Sequence, residues 1–146
     1  IDSRSLPKYF PGQFRIVTDN APAGAYWGVA RAVPNDQGQM VVQLEMKPAR
    51  TAGANTKVRF RYWLKGTDTL YVRGHEGERF MGASLTACPQ EAWTTQYVTL
   101  NQNGQMAGRA VPAGTKLDRL VFFTSAEAGT EVELYIDEVV LFDAYP

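Results

Sequence analysis

The chain has 146 residues, a length that fits one domain with its own hydrophobic core. Fifteen Lys and Arg balance fifteen Asp and Glu, so the chain has no net charge and lacks the positive field expected of a nucleic-acid-binding protein. Hydrophobic residues make up 45% of the chain, which is too many for a disordered tail, yet no apolar run approaches the ~20 residues that span a bilayer. One soluble globular domain over residues 1–146 is expected, with no nucleic-acid partner and no membrane insertion.

The start of the chain and its cysteine content indicate the context of this domain. The chain begins at Ile1 without an initiator methionine or a signal-peptide pattern, which indicates a processed protein or a domain excised from a larger one. Residues 1–11 show no clear period and are either a flexible lead or a strand that closes one sheet. The single cysteine, Cys88, excludes an internal disulfide framework and a cysteine-rich zinc site.

Short alternating apolar runs fill the chain and are separated by clusters of Gly, Pro, Asn and Asp, without any sustained helical period. This pattern predicts an all-β fold of about nine strands, which suits a two-sheet β-sandwich or jelly roll. The predicted strands are Phe14–Asp19, Trp27–Val33, Met40–Lys47, Lys57–Lys65, Thr69–Gly74, Phe80–Thr86, Thr94–Leu100, Leu117–Thr124 and Glu131–Phe142.

Side-chain alternation along the fourth and fifth predicted strands separates core residues from outward ones, because successive strand residues point to opposite faces. The expected core set is Val58, Phe60, Tyr62, Leu64, Leu70 and Val72. A hairpin through Gly66-Thr67-Asp68 would join these two strands. One surface would then hold the outward residues Arg59, Arg61, Trp63, Tyr71 and Arg73, with His75 beside them.

Such a surface has the chemistry of a sugar-binding site. Aromatic rings offer flat apolar faces to the C–H groups of a pyranose, and Arg supplies a planar fork for hydroxyls and carboxylates. Several arginines suit a carboxylated or sulfated polysaccharide, while a neutral glycan stays open. Trp27 either lies at a loop rim and stacks on a ligand or anchors the sandwich core. Alternatively, a loop or partner covers Trp63 and Tyr71, and the arginines pair with acids such as Glu45.

Catalytic motifs are missing from the sequence. His75 is the only histidine, so a site with several imidazole ligands is impossible. The nucleophile-elbow, phosphate-loop and zinc-protease motifs are absent. A small jelly-roll hydrolase or lyase would need two carboxylates, or His75 with Tyr71 and Arg73, converging in one cleft. The sequence therefore favours a protein that is not an enzyme.

The C-terminal run EVELYIDEVVLF, residues 131–142, resembles the closing strand of jelly-roll carbohydrate-binding modules and related galactose-binding-like domains. Two further segments agree in order. VRFRYWLKGTDTLYVR, from Val58, resembles their central pair of strands, and WTTQYVTL, from Trp93, resembles a strand that follows a loop. The resemblance covers Val58 to Phe142, roughly the latter half of the chain, whereas the N-terminal half matches by strand pattern only.

This resemblance implies a noncatalytic module that binds a polysaccharide or oligosaccharide and is joined to neighbouring domains of a larger secreted, periplasmic or cell-surface protein. It also implies a structural Ca²⁺ near the chain ends, with Asp137 as one ligand. The Glu-x-Glu pair that some of these families have near the first strand is absent, so the sequence identifies no other ligand. The alternative function is a structural or protein-interaction β-sandwich of a larger extracellular protein, for which the fold is equally suitable.

Overall fold

The computed structural model describes residues 14–17, 21–24, 28–35, 38–100, 113–124 and 131–143. Within these ranges the chain forms nine β-strands and no helix, so the described residues contain no helix long and apolar enough to cross a membrane. The strands are β1 (Phe14–Val17), β2 (Val29–Pro34), β3 (Met40–Thr51), β4 (Thr56–Lys65), β5 (Leu70–Glu76), β6 (Arg79–Leu85), β7 (Thr94–Thr99), β8 (Lys116–Thr124) and β9 (Glu133–Asp143).

All strand pairs are antiparallel, and β2 divides its pairing between two sheets. Its first half pairs with β1 and β9, whereas Val33 and Pro34 pair with β3. Sheet A therefore has the strand order β1-β2-β9-β4-β7, and sheet B has the order β2-β3-β8-β5-β6. The two sheets stack face to face as a β-sandwich of the jelly-roll type, which confirms the predicted fold class and the number of strands.

The core lies between the inner faces of the two sheets. Phe60 of sheet A contacts Phe122 of sheet B with ring centroids 4.8 Å apart, and both side chains are fully buried. Met40, Leu44 and Met46 of β3 pack against this core from its margin. The predicted core set is confirmed in full: Val58, Phe60, Tyr62, Leu64, Leu70 and Val72 are at most 1% exposed.

The predicted hairpin between the fourth and fifth strands is wrong. β4 pairs with β7 and β9 in sheet A, whereas β5 pairs with β6 and β8 in sheet B. The turn at Gly66 therefore crosses from one sheet to the other. Gly66 has φ +90°, and a Cβ atom there would lie 2.2 Å from the carbonyl oxygen of Glu131, so only glycine fits this crossing.

Several strand ends differ from the predicted ones. β3 continues beyond the predicted end at Lys47 to Thr51, through an irregular register between Glu45 and Arg50. β5 extends to Glu76 and β9 to Asp143, while β9 begins at Glu133. Residues 1–11 and Trp27 lie outside the described residues.

Replacing Phe60 by Ala should lower the free energy of unfolding by about 3–5 kcal/mol, because it empties a fully buried volume between the sheets. Chemical denaturation followed by fluorescence measures this loss. Tyr97→Ala on the neighbouring strand β7 is the matched control: Tyr97 is 53% exposed, so its truncation should cost about 1 kcal/mol or less. Equal losses in the two variants would contradict the assignment of inner and outer faces.

Candidate functional site

The outer face of sheet B holds a continuous group of aromatic and basic side chains. Its residues form three rows across β3, β8, β5 and β6, as the strand register requires. The rows are Val41, Phe123, Tyr71 and Ser84; Gln43, Val121, Arg73 and Gly82; and Glu45, Arg119, His75 and Phe80.

Five of these side chains stack on one another along the face, and we call them the aromatic–arginine strip: Tyr71, Phe123, Arg73, Phe80 and His75. The rings of Tyr71 and Phe123 are stacked, with centroids 4.8 Å apart and planes 16° apart. The guanidinium carbon of Arg73 lies 4.3 Å from the Phe123 centroid and 4.2 Å from the Phe80 centroid. The His75 ring follows at 5.6 Å from Phe80. Two cation–π contacts thus hold one guanidinium in a fixed place.

The position of Arg73 depends on Gly82 directly opposite it on β6. A Cβ atom at Gly82 would lie 2.6 Å from Cγ of Arg73 and 2.5 Å from the carbonyl oxygen of Val72. The missing side chain therefore leaves room for the stem of Arg73 to lie close to the sheet. Burial lowers the pKa of the Arg73 guanidinium, because the surrounding rings replace part of its hydration.

A polar cluster borders the strip at His75. A side-chain nitrogen of Arg119 lies 3.4 Å from Nδ1 of His75, and Arg119 also donates a hydrogen bond to the carbonyl of Gly77. Asp118 accepts the backbone N–H of Gly77 at 2.7 Å and pairs with Arg119 at 3.3 Å. These contacts fix the β5–β6 turn, and with it the end of the strip.

The pKa of His75 lies below its ordinary value of 6.5. Burial is the largest cause, and the positive charges of Arg119 and Arg73 act in the same direction. Asp118 and the backbone at Gly77 act against this shift and are outweighed. His75 is therefore neutral at neutral pH, and its ring adds a polar, uncharged group to the strip.

Trp63, Arg59 and Arg61 lie on the outer face of sheet A and not beside Tyr71 and Arg73. The single surface predicted for these residues is therefore wrong, because β4 and β5 belong to opposite sheets. Their alternation was predicted correctly, but the two outward faces point to opposite sides of the sandwich. The structure brings together Tyr71, Arg73 and His75, whose role in ligand binding stays a prediction.

The outer face of sheet A is partly occupied by its own contacts. Trp63 meets the buried ring of Tyr135 edge-on, with centroids 5.8 Å apart. Arg61 lies 4.8 Å above the ring of Trp93 and donates to the carbonyl of Gly24. A loop and a tryptophan thus cover Arg61, whereas Arg59 lies beside the exposed Tyr97.

Asp137, the predicted calcium ligand, is buried at a bulge of β9. One carboxylate oxygen accepts the backbone N–H of Glu138 at 2.9 Å, and the other lies 3.9 Å from the guanidinium of Arg61. Burial raises the pKa of this carboxyl more than Arg61 lowers it. Among the residues that the structure describes, no three His, Cys, Asp or Glu side chains come together as metal ligands. Calcium prefers six to eight oxygens, and the calcium site at Asp137 stays a prediction.

The strip contains two aromatic residues that were not among the predicted site residues. Phe123 follows Phe122 on β8, so the two rings lie on opposite faces: Phe122 enters the core, and Phe123 is buried beneath Tyr71 and Arg73. Phe80 is 49% exposed and offers the largest open apolar surface of the strip. Phe80 shares its face of β6 with Gly82 and Ser84, and the small and polar character of these two residues is the sequence signal for an outer face.

Tyr71 and His75 lie at the two ends of the aromatic–arginine strip. Tyr71 and His75 are four residues apart on one strand, which separates their Cα atoms by roughly 13 Å. A cavity of about 350 Å³ opens between β6 and β7, and Cys88 is one of the residues that line it. Burial raises the pKa of the Cys88 thiol, so the thiol is protonated at neutral pH. The lining residues of the cavity are Tyr62, Ser84, Leu85, Thr86, Ala87, Cys88, Pro89, Gln96, Tyr97 and Val98, none of which carries a charge.

The structural neighbours of the chain are jelly-roll carbohydrate-binding modules. A family 61 module in complex with β-1,4-galactotriose is 13% identical, with a TM-score of 0.51 over 92% of this chain and 85% of that one. The family 11 module of the cellulosomal cellulase Lic26A-Cel5E of Clostridium thermocellum is 13% identical, with a TM-score of 0.59 over 90% and 81%. A family 30 module is 14% identical, with a TM-score of 0.56 over 92% and 75%. No protein-family model and no curated protein sequence matches the chain. At these identities the likeness shows the fold.

Because the chain has one histidine, its imidazole resonance in a proton NMR titration reports His75 alone. We expect a midpoint below 6.5, and we expect Arg73→Gln to move it upwards, since one of the causes of the shift is removed. The free energy of unfolding should fall as the pH drops from 6.5 through the folded midpoint, because the unfolded chain takes up its proton first. A midpoint at or above 6.5 would show that the ring is solvated and apart from the two arginines.

Proposed function

We propose that this protein is a noncatalytic carbohydrate-binding module and that its glycan binds along the aromatic–arginine strip on the outer face of sheet B. The observation behind this proposal is the fixed stack of Tyr71, Phe123, Arg73 and Phe80, which leaves Phe80 half exposed. Apolar surface lies there beside the guanidinium of Arg73, whose N–H donors have no acceptor among the described residues. Both are needed to bind a pyranose, whose C–H groups and hydroxyls alternate around the ring.

Each part of the strip has a distinct task in the proposed complex. The exposed surface of Phe80 packs against the C–H face of a sugar ring, while Arg73 and His75 on either side offer polar contacts. Phe123 is buried and positions its neighbours without contacting the glycan. Because the rings hold one another in place, little side-chain freedom is lost on binding.

Comparison with known modules supports this function at the level of the fold. The family 61 module is in complex with β-1,4-galactotriose, and the family 11 module has also been solved in complex with a β-1,3-1,4-mixed-linked tetrasaccharide. The fold also occurs within an exo-β-agarase, where this chain matches 22% of the length at a TM-score of 0.59 and 10% identity. We accordingly propose that the domain belongs to a larger secreted, periplasmic or cell-surface protein with further domains.

Phe80→Ala should weaken glycan binding by about 1–2 kcal/mol, roughly a tenfold rise in Kd, because the sugar loses its apolar contact. The melting temperature should stay nearly unchanged, since the ring is half exposed. Affinity electrophoresis against neutral, uronate and sulfated polysaccharides identifies a ligand, and parallel gels with calcium and with EDTA test the predicted metal. Isothermal titration with oligosaccharides of that ligand then gives the Kd.

Two variants on sheet A serve as controls for this experiment. Tyr97→Ala removes an equally exposed aromatic ring from the opposite side of the sandwich, and Trp63→Ala removes the tryptophan that the sequence favoured. Both should bind the glycan like the parent protein. Loss of binding in Trp63→Ala alone would move the site to sheet A. Absence of binding to every polysaccharide would favour the structural or protein-interaction function.

A further inference from the structure

We propose that the aromatic–arginine strip recognises a negatively charged sugar residue, with the guanidinium of Arg73 as the direct contact of its carboxylate or sulfate group. The inference rests on the proposed function and assigns the class of glycan. It follows from three features of Arg73: its uncompensated charge, its fixed orientation and its partial removal from water.

The charge of Arg73 is uncompensated among the described residues. The other charged side chains of the same face have partners: Glu45 pairs with Lys47 at 3.2 Å, and Arg119 pairs with Asp118 at 3.3 Å. In contrast, Arg73 has no ion pair or hydrogen bond within the part of the chain that the structure describes, and its contacts are the two aromatic rings. The face therefore presents a net positive group at its centre.

The orientation of Arg73 is fixed before any ligand arrives. Phe80 and Phe123 lie within 4.3 Å of its guanidinium carbon, and Gly82 admits its stem. The aromatic faces occupy the flat sides of a guanidinium, whereas its N–H donors point outwards from its edge. An edge with free donors matches the two oxygens of a carboxylate or sulfate. The rings thus fix the position of the guanidinium without accepting hydrogen bonds from the N–H donors at its edge, so these donors can bind an anion.

Partial removal from water makes an anion the better ligand than a hydroxyl. Burial already disfavours the charged form of Arg73, and no carboxylate of the described chain offsets this. A sugar hydroxyl offers the cation only a dipole, whereas an anion brings a full opposite charge together with its hydrogen bonds.

The test compares polymers that differ only in charge. Polygalacturonate and its fully methyl-esterified form differ in the carboxylate, and dextran sulfate and dextran differ in the sulfate ester. Affinity electrophoresis of the whole chain at two salt concentrations measures the binding to each polymer. Retardation by polygalacturonate and not by its ester assigns a carboxylate, while retardation by dextran sulfate and not by dextran assigns a sulfate ester.

Two variants separate a built site from general charge attraction. Arg73→Gln should weaken binding to the anionic polymer at least about tenfold, because a charge-assisted contact is lost. Arg59→Gln removes the same charge from the outer face of sheet A and should leave binding within about twofold. Arg73→Lys keeps the charge without the planar fork and should recover only part of the affinity. Circular dichroism and melting curves establish that each variant is folded.

Every outcome decides between the two proposals. Preference for an anionic polymer that is lost in Arg73→Gln and kept in Arg59→Gln supports both. Equal weakening by Arg73→Gln and Arg59→Gln would show nonspecific attraction and overturn the inference. Binding to the neutral polymers alone, with Phe80→Ala impaired, would overturn the anionic class and leave the carbohydrate-binding function intact. Binding to no polysaccharide would overturn both.

Discussion

Phe60 and Phe122 are in contact between the two sheets. Burial of such side chains fixes which face of each strand points to the core, and the positions of all other side chains depend on this constraint. Successive side chains of a strand point to opposite faces, so when one side chain enters this core, the side chains before and after it point outwards. Phe122 enters the core and Phe123 is thereby placed on the outer face of sheet B. The same constraint on β5 directs Val72 inwards and both Tyr71 and Arg73 outwards, next to Phe123. Packing of the core thus positions the candidate site.

The register of the strands then converts outward positions into a binding surface. Antiparallel pairing places Tyr71 beside Phe123 and places His75 between Arg119 and Phe80. No single strand carries the strip: its members come from β5, β6 and β8, which are distant in sequence but adjacent in sheet B. Because the backbone of a sheet is stiff, these side chains are held more firmly than loop residues would be.

Periodicity in the sequence was sufficient to identify the nine strands, the inward set of β4 and β5 and the sandwich class, since each depends on local alternation. Periodicity could not predict which strands pair with each other. A short Gly-containing turn between two strands is typical of a hairpin, and Gly66 instead carries the chain across to the other sheet. This one difference separated Trp63 from Tyr71. Phe80 was missed because an apolar strand residue is ordinarily assigned to the core, although the small and polar residues Gly82 and Ser84 on its own face indicate the outer one.

The contrast between Arg61 and Arg73 shows why the count of arginines on a face does not define a site. Both guanidinium groups lie against aromatic rings, at 4.8 Å from Trp93 and 4.2 Å from Phe80. Arg61 also faces the buried carboxylate of Asp137 and a backbone carbonyl, so its charge and donors serve the fold. For Arg73 the described residues supply two aromatic rings and no acidic partner, and in the proposed complex its charge is left for the ligand. Whether an arginine on the surface of a β-sandwich can bind an anionic ligand therefore depends on whether the fold already supplies a partner for its charge.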